Sequence, residues 1–494
     1  MTSKNSKNSK KLNDFMKGVS LPEGMNKKII TGLSLDSRRV KKGDIFFALK
    51  GSSQDGNKYI DEAITNGAKL VFTDQKENIR NSKVFYHPKL RQNLGLIASS
   101  FYDEPSKKLD IFCATGTNGK TTYVETLSKI SQRISLKTGY ISTINSCING
   151  KKIEISNLTT PDPITIQQTL GLMVDNNCSI VSLEASSHGI SQKRMVGTKI
   201  KVAVLTSFSQ DHLDYHKTIE RYAKTKRSLF TEHDVESCLI NIDSDFGLSL
   251  YQDLEKLHKK VYSISFQKEA NFKISFLATG SRKIKVRLDS DFGQMRFYVS
   301  TFSQTMASNI ILAVCSLLIT GEPIDLLEKS VEEISLPEGR MDLMEIGLLN
   351  NCIIDFAHTP EALENCLKEI RKNFEGNLWC IFGCGGDRDK TKRKEMGKIA
   401  ERYSDKIILT NDNPRFESPK KILDDILTGI ISKKVHIEED RKKAIEYALK
   451  LIHSSKTKNN LLIAGKGHER YQEIDGEHFE FNDKEVVTKI FENL

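Results

Sequence analysis

The chain has 494 residues, 38% hydrophobic and 28% charged, which suits a soluble globular protein of roughly three domains. Its formal net charge of +10 admits anionic partners, but the lysines and arginines are spread along the sequence. Without clustered base-stacking aromatics or a recognition motif, no nucleic acid is expected as a partner. No apolar run is long enough to span a bilayer and none follows the N-terminal lysines, so neither membrane insertion nor a signal peptide is expected. Nine cysteines are scattered, several inside apolar runs (Cys113, Cys178, Cys315, Cys352, Cys380), and read as buried reduced thiols of a cytoplasmic protein. Cys380 and Cys384 lack the C-x-x-C spacing of a zinc site.

Residues 1–11, MTSKNSKNSKK, read as a disordered tail. Beyond them short apolar runs alternate with helix-like segments, the pattern of an α/β fold with mainly parallel sheets. Residues 1–108 form a small α/β domain, with strands expected at Asp44–Leu49 and Lys69–Thr73, a helix over Tyr59–Asn66, and Asp103–Lys108 closing it. Residues 109–337 form a larger central domain whose strands stop at polar residues: Ile111–Ala114 before a Gly-rich loop, Ile180–Leu183 before Glu184, and Val202–Leu205 before Thr206. Alternation at Ile284, Val286 and Leu288, then at Met295, Phe297 and Val299, predicts an antiparallel appendage. A helix over Thr305–Leu318 and a hinge at Pro337–Gly339 follow. Residues 338–494 repeat the strand-to-loop pattern as a Rossmann-like α/β domain, with strands at Leu378–Phe382, Lys406–Leu409 and Asn460–Ile463. There Leu363, Cys366, Leu367, Ile370 and Phe374 share one helix face and belong to the core. In open α/β sheets ligands sit beyond the carboxyl ends of the strands, where the chemistry-bearing residues of this chain fall.

Ala114-Thr-Gly-Thr-Asn-Gly-Lys120-Thr-Thr122 lies between an apolar strand and a helix running to about Arg133. Gly116 and Gly119 let backbone N–H groups turn toward phosphate oxygens, and the helix N-terminus adds favourable partial charge. Lys120 can reach β- and γ-phosphates, and the Thr121 hydroxyl can ligate Mg²⁺. Ala114 stands where the usual motif opens with Gly, so this is a variant phosphate loop in a P-loop ATPase-like central domain. Glu184 opens Glu-Ala-Ser-Ser-His-Gly, and Asp211-His212-Leu-Asp214-Tyr-His216 follows another strand end. A carboxylate and an imidazole at neighbouring strand ends can hold Mg²⁺ near those phosphates. Singly, such residues more often cap helices; beside a phosphate loop the metal reading prevails.

From Leu35-Asp-Ser-Arg38 to Glu469 the chain carries, in order, TGTNGKTT, EASSHG with Gln192 and Arg194 behind it, DHLDYH, DFAHTP, GCGGDRDKTKR, DNPR and AGKGHE. In this ordered set it resembles the Mur ligase family, in particular members that add 2,6-diaminopimelate to UDP-N-acetylmuramoyl-L-alanyl-D-glutamate. The resemblance implies an ADP-forming amide-bond synthetase of peptidoglycan precursor synthesis. A substrate carboxylate would attack the γ-phosphate of ATP, and an amine would then attack the acyl phosphate. The implied cofactors are ATP and Mg²⁺, and the implied partners are two small molecules, the UDP-muramoyl dipeptide and meso-diaminopimelate, bound by a monomer.

The same resemblance assigns residues. Gly116, Thr117, Asn118, Gly119, Lys120, Thr121 and Thr122 would hold the triphosphate, Asn309 the adenine, and Arg340, Asp355 and His358 would lie near the nucleotide. Thr121, Glu184, His212 and Lys226 would ligate the metal, with Lys120, Lys226 and His212 catalytic. Lys226 is selected by the family's Y-x-x-x-K spacing from Tyr222 and would be carbamylated; on its residues alone, between Lys224 and Arg227, it reads as a solvated basic face. Ser207 and Gln210 depart from the Asn and Arg common in the family at these positions.

Leu35, Ser37, Ser52, Ser53 and Gln54 resemble a uridine-diphosphate grip. Thr159, Thr160, Ser186, Gln192 and Arg194 match positions that hold the muramoyl-peptide end, where hydroxyl, amide and guanidinium groups suit amide and carboxylate oxygens. Arg388, Asp412, Asn413, Pro414, Arg415, Gly465 and Glu469 match the amino-acid end. Arg415 offers a planar fork to the distal carboxylate that diaminopimelate carries and lysine lacks. Three other readings remain open at this level: a lysine-adding muramyl ligase, whose relatives lack the arginine of DNPR; a folylpolyglutamate synthetase; and a P-loop nucleotide switch. A complete first domain and DNPR with GKGHE argue against the second, and Glu184, His212 and Lys226 stay unexplained by the third.

Overall fold

The structure, a computed structural model, describes residues 9–16, 24–51, 54–79, 81–156, 158–280, 282–347, 349–431 and 435–493. The chain divides into two compact units: Met1–Thr115, Ser135–Ala203 and Thr225–Cys238 in the first, Gly116–Ile134, Val204–Lys224 and Leu239–Leu494 in the second. Among the described residues no helix is long and apolar enough to cross a membrane.

The first unit begins with a four-stranded parallel sheet in chain order, Leu33–Ser34, Ile45–Ala48, Leu70–Thr73 and Val84–Tyr86. Its two central strands, IFFA and LVFT, are buried at every position, as expected of parallel strands covered on both faces. Phe47 and Phe72 pack with Leu90, Leu94 and Phe101 of the helix Leu90–Phe101, while Phe46 and Val71 pack with Ala63 on the opposite face. The expected disordered tail is corrected at its end. Lys10–Lys11 pair antiparallel with Ile29–Ile30, because Leu12 and Phe15 just behind them are buried and the Phe15 ring meets Phe101 edge-on at 4.9 Å. Residues 1–8 lie outside the described residues.

The same unit holds five strands in the order Lys151–Ile153, Ser146–Ile148, Thr138–Ile141, Ile180–Glu184 and Asp110–Thr115. The last three run parallel, with Glu184 opposite Ala114, so the glutamate stands level with the end of the strand that feeds the Gly-rich loop.

In the second unit the antiparallel appendage has three strands, Phe272–Thr279, Ile284–Ser290 and Gly293–Val299. The first was not expected, since its outer half faces solvent and its apolar alternation fades. The C-terminal sheet has the order Asp342–Glu345, Asn350–Asp355, Asn459–Ala464, Asn377–Phe382, Lys406–Leu409 and Val435–Ile437, parallel except for its first strand. Asp355 pairs with Ala464, Ile381 with Ile463 and Phe382 with Leu409, so four strands end level and release DFAHTP, GKGHE, GCGGDRD and DNPR from one edge.

Beneath that edge lies a fully buried ion pair. Arg441 donates from Nε and Nη2 to the two carboxylate oxygens of Asp483 at 2.7 and 2.8 Å, and Nη2 also donates to the Ala464 carbonyl at 3.0 Å. Truncating one member strands the other's charge without water. Arg441→Ala is expected to lower unfolding stability by about 3–5 kcal/mol. Arg441→Met combined with Asp483→Leu should cost clearly less, as read from denaturant midpoints; equal losses would contradict this account of the pair.

Candidate active site

The phosphate loop leads into the helix Lys120–Arg133, and two glycines set its shape. Gly119 has φ +89°, and a Cβ there would lie 2.2 Å from Asn309 Oδ1. A Cβ at Gly116 would lie 2.0 Å from Thr206 Oγ1 and 2.8 Å from the Ser207 nitrogen. The loop is clamped by the segment after Leu205. Thr206 Oγ1 donates to the Asn118 carbonyl at 2.6 Å, Ser207 Oγ accepts the Asn118 N–H at 2.9 Å, and Thr117 Oγ1 donates to the Ser209 carbonyl at 3.0 Å. Ser207, one of the two departures from the family pattern, thus holds the loop backbone through its hydroxyl, while Gln210 is exposed. Lys120 Nζ donates to the Gly116 and Thr117 carbonyls at 2.8 and 3.0 Å, which sets its cation over the loop.

A cleft in the same unit is lined by Asn118, Gly119, Thr122, Asn309, Arg340 and Asp355, among others. Of the residues expected near the adenine and the nucleotide, Asn309, Arg340 and Asp355 line it and His358 does not. Arg340 Nη2 lies 3.3 Å from Thr121 Oγ1, and its guanidinium stacks over Phe356 at 4.7 Å. Asp355 accepts the Met341 N–H at 2.7 Å, and burial pushes its carboxyl up. His358 Nδ1 donates to the Phe356 carbonyl at 2.9 Å; burial, with nearby Lys392, pushes the ring down to about 4, so it is neutral near pH 7. Cys366, expected only in the core, also lines the cleft from the helix Pro360–Asn373.

His212 has φ +54° and sits 3.4 Å through Nε2 from Asp211 Oδ2. Burial favours protonation of Asp211, but the charges of His212 and Lys392 override it and hold the carboxyl down at about 2. Asp211 therefore acts as an anion that orients the histidine. Neither Asp211 nor Lys392 was singled out from sequence, although both stand within the motifs DHLDYH and GCGGDRDKTKR.

The first unit gathers a second set. Glu184 is fully buried and accepts the Thr143 N–H and hydroxyl at 2.8 and 2.9 Å. The Thr143 hydroxyl oxygen accepts from the Thr159 hydroxyl at 3.1 Å, and Thr160 Oγ1 bonds the Glu184 carbonyl at 2.7 Å and Ser186 Oγ at 3.0 Å. Arg194 donates to Gln192 Oε1 through Nε and Nη2 and to the Thr160 carbonyl through Nη1. Thr143 was missed, yet it lies just past the strand Thr138–Ile141 and the strand-end rule would have found it. Lys226 is 1% exposed, with Nζ 3.5 Å from Thr115 Oγ1, so the solvated basic face read from its neighbours is corrected. Of the uridine-end residues, Leu35 is half-buried, the Ser37 hydroxyl donates to Glu62 at 2.9 Å, Gln54 is exposed, and Ser52 and Ser53 lie outside the described residues.

The loops of the C-terminal sheet form a third set. Asn413 Oδ1 accepts from Lys466 at 3.0 Å, and Glu469 Oε2 accepts from Lys466 and Asn413 at 2.7 and 2.8 Å. Burial and neighbouring Asp412 push the Glu469 carboxyl up, offset in part by Lys466. Lys466 is fully buried and was not anticipated; a lysine inside the Gly-rich AGKGHE was its only signal. The Gly465 N–H donates to the Asp355 carbonyl at 3.1 Å, and the Gly386 N–H to the Asn413 carbonyl at 2.9 Å. Pro414 is buried, and Arg415 leaves the loop toward Glu473, 2.9 Å from its Nε. Arg388 is exposed; crowding of its guanidinium and the charge on Arg415 both push its proton affinity down.

Family comparisons agree along the chain. Residues 29–105 match the Mur ligase family catalytic domain, residues 114–317 the Mur ligase middle domain, and residues 339–467 the Mur ligase glutamate ligase domain. A Buchnera aphidicola protein named UDP-N-acetylmuramoyl-L-alanyl-D-glutamate–2,6-diaminopimelate ligase is 36% identical, over 96% of this chain and 98% of its own. The chain belongs to the Mur ligase family. An Aquifex aeolicus protein of the same name is 40% identical to this Mur ligase, over 94% of both chains. A solved structure titled as that enzyme superposes with a TM-score of 0.70 at 28% identity, covering 98% of this chain and 99% of that one. As a Mur ligase the chain is an amide-bond-forming enzyme.

The buried imidazole gives this Mur ligase a defined pH response. His358 has a folded pKa below its ordinary value, so the unfolded chain takes up the proton first as pH falls. Its stabilising contribution is present above about pH 6.5 and fades as pH drops toward about 4. Urea midpoints should show wild type losing about 2 kcal/mol more between pH 7 and pH 5 than His358→Asn. Parallel pH profiles would contradict the assignment.

Proposed function

We propose that this Mur ligase joins meso-2,6-diaminopimelate to UDP-N-acetylmuramoyl-L-alanyl-D-glutamate, with ATP and Mg²⁺, through an acyl phosphate. A free carboxylate is a poor acyl donor because oxide would have to leave; transfer of the γ-phosphoryl group supplies a better leaving group. The chain's task is therefore to position the reactants and to counter developing negative charge. The observation that carries the substrate assignment is Arg415, a guanidinium fixed by Glu473 and the Gly386 carbonyl on one of the loops released from a single sheet edge.

Each gathered set then has a task. Lys120 and the N–H groups of Gly119 and of the helix start behind it hold the triphosphate, and Asn309 and Arg340 in the cleft hold the rest of the nucleotide. The second unit offers the Thr121 hydroxyl and the His212 imidazole and the first unit the Glu184 carboxylate, donor types that suit a hard cation still carrying water and phosphate oxygens. When bound, Mg²⁺ would neutralise charge on the phosphates. Lys226, 1% exposed with Nζ 3.5 Å from Thr115 Oγ1 at the end of the strand that feeds the phosphate loop, would become an anionic oxygen donor on carbamylation by CO₂. Thr160, Ser186, Gln192 and Arg194 present a connected array of hydroxyl, amide and guanidinium groups to the muramoyl-peptide end. Consumption of ATP, together with nine buried cysteine thiols, supports a cytoplasmic location.

ADP release is expected only when both the UDP-muramoyl dipeptide and meso-diaminopimelate are supplied. Steady turnover with lysine but not diaminopimelate would overturn the substrate assignment, and ATPase activity indifferent to both would favour a nucleotide switch.

A further inference from the structure

The loop that presents Arg415 is held in an unusual state. Arg415 has φ +54°, a left-handed conformation that side chains other than glycine, asparagine and aspartate rarely adopt. Two backbone hydrogen bonds fix it there: the Arg415 N–H donates to the Glu473 carbonyl at 3.1 Å, and the Asp475 N–H donates to the Arg415 carbonyl at 2.8 Å. The side chain is fixed as well. Nε meets Glu473 Oε2 at 2.9 Å, and Nη1 donates to the Gly386 carbonyl at 2.9 Å. Glu473 is itself anchored, since its N–H donates to Asn413 Oδ1 at 2.9 Å, the oxygen that also accepts from Lys466.

A guanidinium can grip a carboxylate side-on, through Nε and one Nη, or end-on, through both Nη groups. Glu473 occupies the Nε edge. Among the described residues Nη2 makes no hydrogen bond, and Nη1 keeps a second N–H beyond the one given to Gly386. The end-on edge is therefore the one left to a ligand, and the pair is only partly covered, at 17% and 21% side-chain exposure.

We propose that Glu473 is a positioning residue for diamino-acid specificity: by holding Arg415 through Nε it fixes the end-on edge to receive the substrate's distal carboxylate. This rests on the diaminopimelate-adding function proposed above and deepens it. A pre-aimed arginine spares the substrate the cost of ordering a long flexible side chain, and it leaves no alternative rotamer in which lysine would be tolerated.

The test uses the full-length enzyme in steady state with ATP and the UDP-muramoyl dipeptide. Wild-type turnover with diaminopimelate, measured first, examines the function separately. Glu473→Gln keeps the side chain's shape and every backbone bond, and an unchanged Tm confirms the fold. It is expected to raise the KM for diaminopimelate roughly tenfold or more, with the KM for ATP and kcat little changed. In an Arg415→Ala background the same substitution should have no further effect, because nothing remains for Glu473 to aim. An unchanged or lowered KM in Glu473→Gln would overturn the proposal, since Glu473 would then merely quench the arginine's charge. An equal rise in the Arg415→Ala background would also overturn it. A wild-type enzyme that uses lysine and not diaminopimelate would overturn this proposal and the function together.

Discussion

Contact between the phosphate loop and the backbone that follows Leu205 is the constraint on which the nucleotide end depends. With Thr206 Oγ1 2.0 Å from where a Gly116 Cβ would stand, any other residue would have to part the two segments. Thr206, Ser207 and Ser209 then use hydroxyl and backbone groups to consume the hydrogen-bonding capacity of Thr117 and Asn118, so the loop is shaped before any ligand arrives. Asn309 closes the other side against Gly119. An anion site built this way costs little reorganisation at the moment of reaction, which is what a charge-stabilising mechanism requires.

The C-terminal sheet solves a related problem with buried ions. Arg393 is fully buried, donates to both oxygens of Glu417 at 2.8 and 2.9 Å and to Asp425 at 2.9 Å, and lies 3.3 Å from the Gly385 carbonyl. Arg441 and Lys466 do the same under Ala464 and Asn413. Buried pairs of this kind are weak contributors to net stability, but each fixes direction, and here the directions converge on the loops that carry Asn413, Arg415 and Glu469. Rigid strand ends thus hand their geometry to short loops, and the site inherits the precision of the sheet.

Much of this was legible in the chain itself. Parallel strands buried on both faces announce themselves as unbroken apolar runs, and their abrupt polar ends pointed to Glu184 and Lys120, whereas Asp412 came with the family resemblance. What escaped has common causes. Phe272–Thr279 is exposed over its outer half, so no alternation betrays it. Lys10–Lys11 looks like tail because its partner lies eighteen or more residues away and the hydrophobic anchor, Leu12 and Phe15, comes only afterwards. Thr143, Lys392, Lys466 and Glu473 act through partners distant in sequence, and a charged residue's burial is set by the fold rather than by its neighbours in the chain.

The central claim is that a substrate carboxylate passes through an acyl phosphate. It is tested most directly by enriching both glutamyl carboxylates of the UDP-muramoyl dipeptide with ¹⁸O and following the label by mass spectrometry. The account predicts that each molecule of amide product is accompanied by inorganic phosphate carrying one carboxylate-derived oxygen. Amide formed with no label in phosphate would contradict it.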